Sequence, residues 1–116
     1  MVRLLYHNPR CSKSRACIKI ISDKKINFKE VQYLKEGLSI SNLKEIVNNL
    51  VNPLCDLIRT NEKEFKLEPF NLNKKDLIVS FLHKYPICLQ RPLFFDDFNY
   101  IICRPPEKVL NYLKNK

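Results

Sequence analysis

Residues 2–23 read VRLLYHNPRCSKSRACIKIISD, and their order decides the fold. The apolar run Val2 to Tyr6 has the length of a short buried strand, and His7-Asn8-Pro9-Arg10 carries the proline of a turn. From Ser12 to Asp23 the apolar residues Ala16, Cys17, Ile20 and Ile21 recur at helical spacing. The segment is therefore a strand, a turn and a helix. Cys11 closes the turn, where the unpaired N–H groups of a first helical turn and about half a positive charge favour a thiolate. Such a setting lowers a cysteine pKa from about 8.5 to somewhere near 3.5–7.5, and Arg10, Lys13, Arg15 and His7 stand close by in sequence to help. The same N–H groups suit an oxyanion.

Working outward, Phe28 to Leu34 has the β-branched and aromatic content of a second strand, parallel to the first because a helix lies between them. Gly37 breaks the chain. Ser41 is the expected N-cap of a helix with the stripe Ile40, Leu43, Ile46, Val47 and Leu50, ended by Asn52-Pro53, and a further helix runs from Pro53 to about Arg59-Thr60. Asn73 or Lys74 to Lys84 follows as a helix bearing Leu77, Ile78, Phe81, Leu82 and Tyr85 on one face. Ile87–Gln90 and Leu93–Phe95 are expected strands around Pro92, with Asp96–Asn99 as a hairpin turn and Tyr100–Cys103 as the returning strand. A last helix opens at Arg104-Pro105-Pro106 with Val109, Leu110 and Leu113 facing inward. This order is that of an α/β, thioredoxin-like mixed β-sheet with a helical insertion at about 38–85, in one domain spanning 1–116.

Composition narrows the partners. The net charge of +9 comes from 15 scattered lysines and six arginines without a basic arm or a zinc-finger pattern, so a solvated surface is expected and no nucleic-acid partner. No apolar run approaches the roughly 20 residues of a membrane span, and no secretory signal opens the chain, which points to the cytoplasm and no membrane partner. The five cysteines form no CxxC pair and no metal-binding spacing. Cys11 is the reactive one, while Cys17, Cys55, Cys88 and Cys103 sit beside apolar residues and read as packing groups. His7 is open between a turn residue and a partner of the thiol. Arg59 reads equally as a cation at a helix C-terminus, and Arg104 as a surface residue.

YHNPRCSKSR at 6–15, with LIRTNE at 57–62, LQRPLF at 89–94 and ICRPPEKVL at 102–110, resembles the glutaredoxin-coupled arsenate reductase family over nearly the whole chain. The resemblance implies a thioredoxin-like fold and reduction of arsenate to arsenite through a cysteine-arsenate adduct. It places the nucleophile on Cys11, a supporting histidine on His7, and the groups that bind the oxyanion and the intermediate on Arg59, Arg91 and Arg104. Ser12, Lys13 and Ser14 would add donors at the helix start, and Arg91-Pro92 falls on the family's usual cis bond. Ser14 occupies the resolving position of a CxxC, so the second thiol is external: glutathione as co-substrate, then glutaredoxin, with no bound cofactor. Ser-Lys-Ser replaces the Gly-Thr-Ser that tends to follow the cysteine, and Asp96-Asp97 brings two acids near the arginine-bearing strands. The alternatives are a Spx-type regulator binding RNA polymerase, or a thiol reductase of the same fold with another substrate.

Overall fold

The computed structural model describes residues 2–113. Its sheet has four strands in the order β2-β1-β3-β4, with β1 at Leu4–Tyr6, β2 at Lys29–Val31, β3 at Leu93–Phe95 and β4 at Tyr100–Ile102. β1 and β2 are parallel, joined across α1 (Ser12–Asp23), whereas β3 runs antiparallel to both β1 and β4. The expected strand-helix-strand opening is thus present.

Side chains alternate between two apolar layers, one on each face. Leu5, Phe94, Ile101 and Cys103 pack with Cys17 and Ile21 of α1 and with Val109 and Leu113 near the C-terminus. Tyr6, Leu93, Tyr100 and Ile102 point the other way, into the helical segment. A strand covered on both faces needs apolar residues at every position, which is why LLY shows no polar alternation. Burying a side chain such as the fully enclosed Phe94 contributes roughly 1.5–3 kcal/mol.

Several boundaries and faces differ from those expected. β2 stops at Val31, and Tyr33–Glu36 turns into a short helix, α2, ended by Gly37 at φ 79°. The cap of the next helix, α3 (Ile40–Asn48), is Ser39 and not Ser41: its hydroxyl accepts the Asn42 N–H at 3.0 Å. Asn52 completes the sheet edge instead of merely ending a helix, since its Oδ1 accepts the Ile102 N–H at 2.8 Å. The helix expected from Pro53 is a single 3₁₀ stretch, Leu54–Leu57. A helix with no apolar period, α4 (Lys63–Leu67), escaped the sequence reading; Phe65 anchors it against Phe70 and Phe81.

α5 spans Lys75–Lys84 with Ile78, Val79, Phe81 and Leu82 buried, so Val79 takes the inward place expected of Leu77, which is exposed. Ile40, Ala16 and Leu110 likewise face outward. The strand expected at Ile87–Gln90 is a 3₁₀ turn, Pro86–Cys88, followed by one bridge between Leu89 and Ile58; Pro86 has no N–H to give a ladder. The closing helix is also 3₁₀, over Pro106–Tyr112. Both Arg91-Pro92 and Arg104-Pro105 are cis. Cys17, Cys88 and Cys103 are buried as expected, but Cys55 is exposed on its 3₁₀ turn.

Candidate functional site

Cys11 sits at the N-cap of α1, held by a turn that bonds to itself. Its N–H donates to the Asn8 carbonyl at 2.9 Å, the Asn8 Oδ1 accepts the Arg10 N–H at 3.0 Å, and the Arg15 guanidinium reaches back to the Pro9 carbonyl at 2.8 Å. Ser14, fully buried, accepts the Asn8 N–H on its hydroxyl at 3.3 Å. The loop is consequently fixed before any ligand arrives.

Partial burial pushes the Cys11 thiol up, yet hydrogen bonding outweighs it. The Ser14 N–H, the Arg91 side chain, the Lys13 N–H and the Ser14 hydroxyl together bring the pKa from 9.0 down to about 7. A large thiolate fraction follows at neutral pH. Of the cations in the turn, Lys13 acts here through its backbone; the guanidinium comes from Arg91, far along the chain. Arg104 adds a second, its Nη1 3.9 Å from Cys11 Sγ and 2.9 Å from the Arg91 carbonyl it also donates to.

Arg59 lies farther out. Its guanidinium donates to Glu62 at 3.1 Å and to the Gln90 side-chain oxygen at 3.0 Å, so it bonds side chains and does not cap helix carbonyls. Arg59, Thr60, Asn61, Gln90 and Arg104 line a cleft of about 210 Å³ with mainly polar walls. Arg104 therefore joins cleft and thiol, having one wall of the former and one N–H on the latter. Planar, permanently charged guanidinium groups around a thiolate are suited to a tetrahedral oxyanion, which they grip through two oxygens at a time.

His7 points elsewhere. It is buried, its Nε2 stands 3.9 Å from Glu30, and its Nδ1 finds no partner among the described residues. Burial pushes its pKa below the ordinary 6.5, against the pull of Glu30 and with the push of Arg15, which favours neutral imidazole. Ser12 and Lys13 are exposed beside the thiol. The Asp96 and Asp97 carboxylates are engaged at the turn, by the Phe98 and Asn99 N–H groups and by the Val2 N–H, rather than turned to the arginines.

Three neighbours escaped the sequence reading: Asn8, which shapes the turn, Gln90, which holds Arg59, and Tyr33, a fully buried phenol on which Arg91, Arg59 and Cys11 all act. Asn8 was legible as a turn-forming residue next to a proline. Gln90 and Tyr33 carry no local signal, since each matters only through partners distant in sequence.

This arrangement has relatives. The chain is 31% identical over 115 residues to an arsenate reductase of Haemophilus influenzae, covering 95% of this chain and 97% of the relative. It is 32% identical over 110 residues to the uncharacterized protein YfgD of Escherichia coli, covering 91% and 92%. An arsenate reductase structure from Vibrio cholerae superposes with a TM-score of 0.83 at 28% identity, covering 97% of this chain and 98% of the other, so the mixed sheet is of the thioredoxin-like type. The family model described as ArsC family matches residues 6–112, from the strand before the cysteine turn to the last 3₁₀ helix, and by that match and those identities the chain belongs to the ArsC family.

Proposed function

We propose that this protein reduces arsenate to arsenite, with Cys11 as nucleophile and glutathione and glutaredoxin as the external reductants. The observation that carries the reading is the Arg104 guanidinium at 3.9 Å from a Cys11 sulfur whose pKa is about 7. Arsenate would enter the cleft between Arg59 and Arg104, and the N–H groups of Lys13 and Ser14 would face its oxygens together with the Ser12 side chain. His7, neutral beneath the turn, would support the loop and through it the thiolate.

The Cys11 thiolate donates an electron pair to arsenic and forms an S–As bond, while one arsenate oxygen takes up protons and leaves as water. Arsenic is still in its higher oxidation state. Two electrons then come from two outside thiols, glutathione and glutaredoxin, which end as a mixed disulfide. The Cys11–arsenic bond breaks as arsenite departs, and the thiolate returns. External thiols fit the chain because Ser14 stands where a CxxC would have its second sulfur and Cys17, Cys88 and Cys103 are buried.

The test is NADPH consumption coupled through glutathione reductase, with arsenate, glutathione and glutaredoxin each omitted in turn. Full dependence on all three is expected. Turnover that persists without glutaredoxin would remove the proposed reductant, and no turnover with arsenate under any thiol would remove the substrate.

A further inference from the structure

Two buried polar atoms beside Cys11 lack a hydrogen-bond partner among the described residues: the Arg91 Nε and the Tyr33 Oη. They are complementary, a donor and a group able to accept. Tyr33 is 0% exposed on α2, which packs against the Pro86–Cys88 turn whose Ile87 carbonyl holds Arg91; burial pushes its pKa up, and the charge of the Arg91 guanidinium pulls the other way. Arg91 acts on the sulfur as well, being among the groups that bring the Cys11 pKa down. Its Nη1 makes only a 3.3 Å contact with the Ile87 carbonyl, so one long bond fixes the far end of the group.

We propose that Tyr33 is a positioning residue for Arg91: its phenol oxygen is the acceptor that the buried Arg91 Nε–H lacks, and closing that bond sets the plane in which the guanidinium faces Cys11 and the bound oxyanion. This rests on the reading of the cleft as an oxyanion site. A buried donor and acceptor left apart cost more than a bond made, so turning the guanidinium toward an anion's oxygens and closing the Tyr33 bond favour one another. Burial raises the Tyr33 pKa to about 12, so the hydroxyl stays neutral throughout the working range and adds no negative charge against the thiolate or the substrate.

The experiment is a double-mutant cycle of Tyr33→Phe and Arg91→Ala, read by two quantities that need no turnover. One is the pH midpoint of Cys11 alkylation by iodoacetamide; the other is protection from that alkylation by sulfate, phosphate and arsenate. Tyr33→Phe alone is expected to weaken oxyanion protection by about tenfold and to raise the alkylation midpoint, and to do neither in the Arg91→Ala background. Melting temperature serves as the control for folding. If Tyr33→Phe is poorly folded, 3-fluorotyrosine at position 33 keeps ring and hydroxyl while weakening the oxygen as acceptor, and a smaller shift in the same direction is expected.

An effect of the same size in both backgrounds would overturn the proposal, as would no effect in either. The two readings separate cleanly. Sulfate protection that depends on Tyr33 in a protein that does not reduce arsenate would sink the proposed reaction and leave the positioning role standing. Should no oxyanion protect the wild type, the anion reading fails, and the alkylation midpoints still decide whether Tyr33 acts through Arg91.

Discussion

Cys11 and Cys103 belong to opposite regions of the molecule, the polar mouth of the cleft and the dry layer under the sheet, and their thiols diverge. Both are screened from water, so burial raises the pKa of each. At Cys11 the N–H groups of Ser14 and Lys13 and the Arg91 guanidinium reverse it; at Cys103 the hydrogen bond with the neighbouring Cys17 thiol is the larger upward push, and burial adds to it. Cys103 Sγ even donates, to the Ile101 carbonyl at 3.6 Å, a bond only a protonated thiol can make. Donors aimed at the sulfur, and not exposure, make one cysteine nucleophilic. The contrast is sharpened by chain position: Arg104, the next residue after Cys103, is the one that reaches Cys11.

The largest break in that comparison is Cys11→Ser, for which coupled turnover should fall to background while the melting temperature stays within a few degrees, because a hydroxyl fits the N-cap but supplies no thiolate at neutral pH. Measurable arsenate turnover in that variant would refute the nucleophile. Next comes Arg104→Ala, which removes charge-assisted contacts to the sulfur and to the Arg91 carbonyl. A loss of roughly 1.5–3 kcal/mol is expected, hence about ten- to a hundredfold in kcat/KM, with Arg104→Lys restoring only part. The alkylation midpoint, near pH 7 in the wild type, should rise in Arg104→Ala; an unmoved midpoint would separate Arg104 from the thiolate.

A smaller effect of the opposite kind is expected from Cys17→Ala and Cys103→Ala. Each removes a buried sulfur from the lower layer and should cost about 1 kcal/mol in urea denaturation, leaving the Cys11 alkylation profile unchanged. Activity lost out of proportion to stability would give the layer a redox role it does not have here. The smallest concerns His7. With its folded pKa below the ordinary 6.5, the unfolded chain binds a proton the folded one resists, so its contribution to stability is complete above about pH 6.5 and declines as pH falls toward the folded value. Between pH 7.5 and 5.5 the urea midpoint should drop more for wild type than for His7→Gln; equal drops would show that His7 is not held neutral.

The strand, turn and helix around Cys11 were legible because their signals are local: a proline turn, a run too apolar for an exposed strand, and a helical period that begins right after the cysteine. Cys11, Arg91 and Arg104 were legible through motifs, and the structure brings these three together. Short elements were harder. Pro86–Cys88 and Leu54–Leu57 have strand-like or helical composition, but one turn of either holds its shape through its neighbours, not through propensity. The inward faces of α5 and of the C-terminal 3₁₀ helix differ at single positions for a related reason: Leu77 is as apolar as Val79, and Leu110 as apolar as the buried Val109 and Leu113, and only the packing partner decides which of them is covered.

The sequence by itself determined the order of the elements and the placing of a cysteine at a helix start, since both follow from periodicity and from the unpaired N–H groups every helix begins with. Tertiary structure alone decided which cations the sulfur meets. The basic residues adjacent to Cys11 in sequence were the natural candidates, yet Lys13 contributes its backbone and Arg15 holds the Pro9 carbonyl, while the guanidinium groups at the thiol arrive from Arg91 and Arg104. The Lys13 and Arg15 side chains on the first helical turn face solvent, whereas β3 lies directly beside β1 and its preceding turn delivers Arg91 to the helix end. Coulomb interaction depends on distance through space, and the sheet order β2-β1-β3-β4 sets that distance.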